Sequence, residues 1–259
     1  MNAYQEIEKI IPDFEPITLE EMKDIRLMNR TDMKYVVAIS SLVELLRLSL
    51  QDYRLQEVDG ERNIAYHTVY YDTPDQKMYL AHQNGRKTRE KIRFRTYVSS
   101  NLSFFEVKNK NNHGRTNKKR IKIAEEEKNN FLFSDETREF LKKHAWYSPE
   151  ELTPQIENRF KRLTLVNRGL TERLTIDTDL HFHNLHNDLE RDLKGLAVIE
   201  LKRDGRTASP MHDLLMRMHI HTSGFSKYAM GYALTDSHIK QNLFKERLRK
   251  LIKLSDKPY

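Results

Sequence analysis

The chain contains no cysteine. That single absence removes disulfides, thiolate metal sites and a cysteine nucleophile, and it leans toward a reducing compartment. Glycine and proline are scarce, with 8 and 7 among 259 residues. There is no Gly/Ser/Pro-rich linker, no internal repeat and no low-complexity tract, so one domain spanning 1–259 is the simplest organisation. No apolar run nears the roughly 18 residues that a transmembrane helix needs. The longest is YVVAI. The N-terminus, MNAYQEIEKIIPDFEP, is acidic and has no apolar stretch of signal-peptide type. These absences lead to the expectation of a soluble, cytoplasmic protein.

Charge is abundant instead. Charged residues make up 32% of the chain against 38% hydrophobic, and the formal net charge is +7. An excess of that sign points to anionic partners such as nucleic acid, phosphate compounds or an acidic membrane surface.

Hydrophobic periodicity predicts strands at KYVVAIS, AYHTVYYDT, REKIRFRTY, LSFFEVKNK, KKRIKIAE, QIENRFKRLTLVN, ERLTIDTDLHF and GLAVIELKRD. Helices are predicted at TLEEMKDIRLM and SLVELLRLSLQDY, with capping boxes Thr18/Glu21 and Ser41/Glu44. Others follow at Thr73-Pro74 (ended by Gly85), SDETREFLKKHA (capped by Ser134) and SPMHDLLMRMHI. Residues 1–29 form an N-terminal helical segment, and 226–259 a mostly helical, basic tail. About eight strands with few intervening helices suggest an α+β fold with a large antiparallel sheet, closable as a barrel.

REKIRFRTY is the most informative stretch. Ile92, Phe94 and Thr96 fall on one face; Arg89, Lys91, Arg93, Arg95 and Tyr97 fall on the other, about 7 Å apart along the strand. Other strands repeat the pattern. Glu106 and Lys108 oppose Phe105 and Val107; Lys118, Arg120 and Lys122 oppose Ile121 and Ile123. Arg173, Thr175 and Asp177 oppose Leu174 and Ile176, and Glu200 and Lys202 oppose Ile199 and Leu201. In NRFKRLTLV the phase is ambiguous, with Arg159 preceding Phe160. Solvated outer strand faces usually mix Thr, Ser, Lys and Glu, and seldom run Lys-x-Arg-x-Arg. With the charged faces turned inward, the cations converge on a lumen suited to a polyanion, since Arg gives phosphate bidentate bonds and Lys a point charge. The carboxylates Glu106, Asp177 and Glu200 among them suit a hard cation such as Mg²⁺ or Mn²⁺ held together with substrate phosphates.

The strings RTDMKYVV, YYDTPDQKMYLAH, KIRFRTY, FFEVKNK, KKRI, ERLTIDTDL, VIELKRDG and GFSKYAMG occur in this order between about Arg30 and Lys253. In this the chain resembles the VTC domain, the polyphosphate polymerase domain of the vacuolar transporter chaperone family, within the CYTH-like triphosphate tunnel metalloenzymes. The resemblance implies an antiparallel eight-stranded β-barrel tunnel with a charged lumen, surrounded by helices and binding the triphosphate of ATP. It implies catalytic roles for Arg93, Arg95, Lys34 and Lys108, and phosphate binding by Lys118, Arg120, Arg159, Arg173, Lys202 and Lys227. Glu200 matches the holder of Mn²⁺ or Mg²⁺, with Glu106 and Asp177 as supporting carboxylates. The wider group opens with Glu-x-Glu-x-Lys, whereas this chain has Arg30-x-Asp32-x-Lys34. That departure favours VTC-type members over hydrolases with a carboxylate-rich entrance.

The implied activity is metal-dependent transfer of the γ-phosphoryl of ATP to a growing polyphosphate chain, with ADP released. A triphosphatase of the same fold and a non-catalytic polyphosphate- or RNA-binding protein are the alternatives. Base-stacking aromatics are sparse among the cations, so no nucleic-acid partner is expected. The family's membrane segments are not in this sequence, so moving product across a membrane calls for a separate membrane partner. The pairs in HFHNLH and HIH lack carboxylates at ligand spacing and do not read as zinc sites. NLFKERLRKLIKL has the spacing of an amphipathic helix that packs on the sheet.

Overall fold

The computed structural model describes residues 2–25, 30–205 and 207–255. Its elements run α1 (Ala3–Ile10), β1 (Pro16–Ile17), β2 (Arg30–Ala38), α2 (Ile39–Ser49), β3 (Tyr53–Gln56), β4 (Ile64–Asp72), α3 (Lys77–Gln83) and β5 (Arg89–Tyr97). They continue with β6 (Leu102–Lys110), β7 (Thr116–Ile123), α4 (Asp135–His144), β8 (Thr153–Asn167), β9 (Glu172–Asn184) and β10 (Leu189–Leu193). The chain ends in β11 (Leu196–Asp204), α5 (Pro210–Arg217), α6 (Lys227–Thr235) and α7 (Lys245–Ser255).

The expected antiparallel strands form one path, in the order β2-β11-β9-β8-β4-β5-β6-β7. Three short strands extend the sheet to 11: β3 on β8, β1 on β3, and β10 on β9. The expectation of a closed eight-stranded barrel is corrected here, because the sheet stays open between β2 and β7. Two features keep it open. The free edge of β2 is engaged by the chain before α6, with Ser223 N donating to Lys34 O at 2.9 Å and Lys34 Nζ to Phe225 O at 2.9 Å. The free edge of β7 is exposed from Thr116 to Arg120 and carries Lys118, Lys119 and Arg120, and a row of cations discourages edge pairing.

Alternation along the strands sorts apolar residues to the convex face. Tyr35, Val37, Leu163, Leu165, Leu174, Ile176, Ile199 and Leu201 form one core with Ile7 and Ile10 of α1, Leu42 and Leu46 of α2, and Met211 and Leu215 of α5. Ile92, Phe94, Phe105 and Val107 belong to a second core that includes Phe131, Phe140 and Leu141, around α4. Burying a side chain of this size contributes about 1.5–3 kcal/mol, which is what holds the helices to the sheet.

The concave face has two characters. Lys34 and Glu200 are paired in register, and two residues along the same face stand Val36 and Val198. There the surface turns apolar and α6 fills it, with Tyr228, Met230 and Tyr232 clustering with Val36, Tyr70, Ile156, Phe182 and Val198. Gly231 permits this approach: a Cβ at that position would lie 2.6 Å from Ile156 Cγ2 and 3.0 Å from Phe182 Cδ1.

Some local expectations changed. Thr18 and Glu21 do form their reciprocal hydrogen bonds, yet the helix reaches only one 3₁₀ turn, Glu21–Asp24; residues 26–29 of that expected helix lie outside the described residues. Helix α2 starts at Ile39 rather than after a Ser41/Glu44 box, because Ile39 N bonds the carbonyl of Gly195 on the neighbouring β-turn. Helix α3 begins at Lys77 rather than Thr73, its first amides capped by Thr73 Oγ1 and the buried Asp72 carboxylate. Ser134 and Ser209 cap α4 and α5 as expected.

Candidate functional site

Cross-strand register brings the inward cations into three groups, each built on one carboxylate. On the β5–β6–β7 side, Glu106 accepts from Arg93 Nε at 2.5 Å and from Lys118 Nζ. Burial alone would raise its carboxyl, but Arg93, Arg95 and Lys118 reverse that and hold it at about 2. On the β8–β9 side, Asp177 receives a bidentate pair from Arg162, Nε at 2.5 Å and Nη2 at 2.8 Å, and Lys227 Nζ from the start of α6. Burial opposes its ionisation too, and Arg162 with Lys227 pulls it far below the carboxylate range. Between these, Glu200 has Lys202 Nζ at 3.3 Å and Lys34 Nζ at 3.6 Å. Against the effect of burial, Lys34 and Lys202 take its carboxyl well down.

Lys91, Lys108, Arg95 and Arg173 form no salt bridge among the described residues, while Lys227 keeps Asp177. Lys91 Nζ donates to Ser226 Oγ at 2.8 Å, and burial, then Lys34 and Lys108, pushes its ammonium well below the usual value. Lys108 is exposed to the groove yet ringed by protein; desolvation and Lys34 bring it to about 8. Lys227 is pushed to about 7 by burial, with Arg162 opposing the relief from Asp177. Arg95 is buried with Nε on Thr68 Oγ1 at 3.3 Å, its guanidinium 5.3 Å from the Tyr66 ring and 5.9 Å from that of Phe160. Burial, Arg93 and Arg162 lower it to about 10. Arg173 has a buried Nε without a hydrogen-bond partner.

A cavity of about 1260 Å³ opens beside these groups, lined among others by Lys34, Lys91, Lys108, Glu200, Arg89 and His82. Burial and the charges of Lys91 and Arg89 hold the His82 imidazole at about 2, so it faces the cavity uncharged.

Of the residues singled out in the sequence, Lys34, Arg93, Arg95, Lys108, Lys118, Arg173, Lys202, Lys227 and Glu200 come together on this face. Arg159 does not. It is 66% exposed on the convex side and pairs with Glu157 at 2.7 Å. The even-numbered residues of β8 face inward without a break from Ile156 to Arg162, so Arg162 supplies the inward cation instead, and the register shift against β9 is absorbed in β9 at Asp179, whose φ is +52°. The signal for Arg162 was present: Leu163 and Leu165 are core residues, so even-numbered neighbours face the other way. Arg120 lies at the exposed rim, over the Phe104 ring at 4.4 Å. Lys91 lies on the same face, drawn in against Ser226.

Glu106 and Asp177 are fully engaged by cations, so neither is free to support a metal. Among the described residues no three His, Cys, Asp or Glu side chains assemble into a ligand group. Glu200 and Asp32 are the carboxylates that line the cavity, Asp32 being paired with Arg30 at 2.7 Å, and so small a set fits a Mg²⁺ or Mn²⁺ ion resting mainly on substrate phosphate oxygens rather than in a protein cage.

An antiparallel sheet curved around convergent cations, with helices on its convex side, defines a protein of the triphosphate-tunnel type. The VTC domain model matches residues 29–236, and the chain belongs to the VTC domain family. No curated protein matches it. Among solved structures, a candidate adenylyl cyclase from Hippeastrum with a dominant triphosphatase activity is 15% identical at a TM-score of 0.50, over 83% of this chain and 100% of its own. A candidate adenylate cyclase from Vibrio parahaemolyticus is 13% identical at a TM-score of 0.47, over 80% and 99%. At these identities the likeness is one of fold. No helix among the described residues is long and apolar enough to cross a membrane.

Proposed function

We propose that this face binds the triphosphate of ATP and passes the γ-phosphoryl group to the end of a polyphosphate chain, releasing ADP. The supporting observation is the convergence of Lys34, Lys91 and Lys108 on one cavity beside the buried Arg95, where burial and neighbouring cations leave Lys91, Arg95 and Lys108 short of negative charge. A bound polyanion supplies that charge.

In this reading Arg93, Arg95, Lys34 and Lys108 clamp the β- and γ-phosphates, while Lys118, Arg162, Lys202 and Lys227 orient the acceptor. An ionised oxygen of the chain end attacks the γ-phosphorus, and the bond from that phosphorus to the β–γ bridging oxygen breaks. The electron pair leaves with ADP, and no protein base is needed because the attacking oxygen carries no proton near pH 7. Positioning and electrostatics carry such a transfer. Glu200 is the residue that would hold Mn²⁺ or Mg²⁺, whose charge, when bound, offsets that of the phosphate oxygens.

The open side between β2 and β7 favours a second reading, hydrolysis, because it admits water to the same groove. Incubation with ATP and Mn²⁺ separates the two. A polyphosphate ladder on a gel together with ADP is the expected product, and orthophosphate alone would sink the polymerase reading in favour of a triphosphatase.

A further inference from the structure

The concave face ends, on the β6 side, in aromatic rings that the phosphate chemistry does not use. Phe104 lies opposite Arg95 across β5 and β6, about 7 Å along the strand from Glu106. Its ring is half-buried rather than sealed in the core. Tyr97 meets it edge-on, with centroids 6.0 Å apart. The Arg120 guanidinium covers it at 4.4 Å and forms no salt bridge among the described residues. Tyr66 and Phe160, by contrast, are buried beneath Arg95 and Arg162 and offer no free surface.

A half-buried ring, a guanidinium plane without a salt bridge among the described residues and a neighbouring edge are the parts on which a nucleobase stacks. We infer that Phe104, with Arg120 folded over it and Tyr97 at its edge, holds the base of the nucleoside triphosphate. This rests on the triphosphate reading above, and it moves Arg120 from phosphate binding to base binding. The spacing agrees: phosphates at Arg93, Arg95 and Lys118 leave the nucleoside to extend along β6 toward Phe104. Stacking tolerates any base, so ATP and GTP bind alike.

Titration calorimetry of the full chain with ATP, GTP and inorganic tripolyphosphate tests the assignment through a ratio of affinities, which a partly unfolded sample does not alter. Phe104→Leu, which keeps bulk without a π-face, should lower ATP and GTP affinity about tenfold and leave tripolyphosphate unchanged, while Phe104→Trp keeps both. An unchanged ATP-to-tripolyphosphate ratio in Phe104→Leu overturns the base site and leaves the triphosphate reading standing. A parent chain that binds no tripolyphosphate overturns the triphosphate reading and this inference with it.

Discussion

The two walls of the groove and the stretch between them handle positive charge differently. On the β6 wall Glu106 is 2% exposed and shared by Arg93 and Lys118; on the β9 wall Asp177 is 4% exposed and shared by Arg162 and Lys227. Each wall is thus tied by a buried carboxylate that bridges two cations. Between them Lys34, Lys91, Lys108 and Lys202 stand with Glu200, whose side chain is 22% exposed, and with Asp32, already paired with Arg30. The walls are neutralised for the sake of the fold, whereas the middle is left unbalanced. The wall carboxylates therefore carry the counter-charge that the fold needs, while the middle depends most on a bound polyanion for its own.

That separation can be broken at its strongest point. Asp177→Asn keeps the shape and leaves Arg162 and Lys227 buried without a counter-charge, which costs about 3–5 kcal/mol. Denaturant unfolding should show that loss, and added tripolyphosphate should recover part of it. A variant as stable as the parent would mean the wall pairs do not hold the fold.

Next in size is a pair of substitutions on β8. Arg162→Ala should cut turnover of ATP on the order of 10²–10³-fold, as for a lost oxyanion donor. Arg159→Ala, an exposed residue three positions earlier, should change turnover less than twofold and stability by about 0.5 kcal/mol or less. Equal losses would contradict the inward placement of Arg162 and the outward placement of Arg159.

The smallest effect is one of pH. Lys108 at about 8 and Lys227 at about 7 release protons in the folded protein that the unfolded chain keeps to above 10. Because the unfolded state then binds more protons, the ligand-free protein gains stability as pH rises from about 7 to 9. Affinity for tripolyphosphate should fall over the same range as the lysines lose charge. Chemical denaturation and calorimetry at matched pH values check the two opposed slopes, and parallel slopes would contradict the reading of the middle stretch.

Much of this was legible in the sequence because a strand's period of two is insensitive to context. The Arg89–Tyr97 row needs only alternation to be read, and so do Glu106, Lys118 and Glu200. Arg162 was passed over for Arg159 because the aromatic Phe160 blurred the phase: it is buried on the inward, cationic face, although alternation back from the core residues Leu163 and Leu165 turns 162 inward and 159 outward. The open sheet was not legible either: whether β2 meets β7 depends on what the chain at 223–225 does to the β2 edge, a contact across nearly two hundred residues. Ser41 was misread as a cap for a similar reason, since the start of α2 is set by the distant carbonyl of Gly195. Strands such as β10, LERDL, carry no apolar alternation and owe their form to pairing with β9.

The close seating that Gly231 allows has a kinetic meaning. With α6 packed onto the apolar end of the concave face, the groove is blocked in that direction, and the open side between β2 and β7 is left as a way in. Under the proposed polymerase reading, a lengthening product and the next nucleotide would share that way in, and each cycle would include a step in which the chain slides back or lets go before the site is refilled.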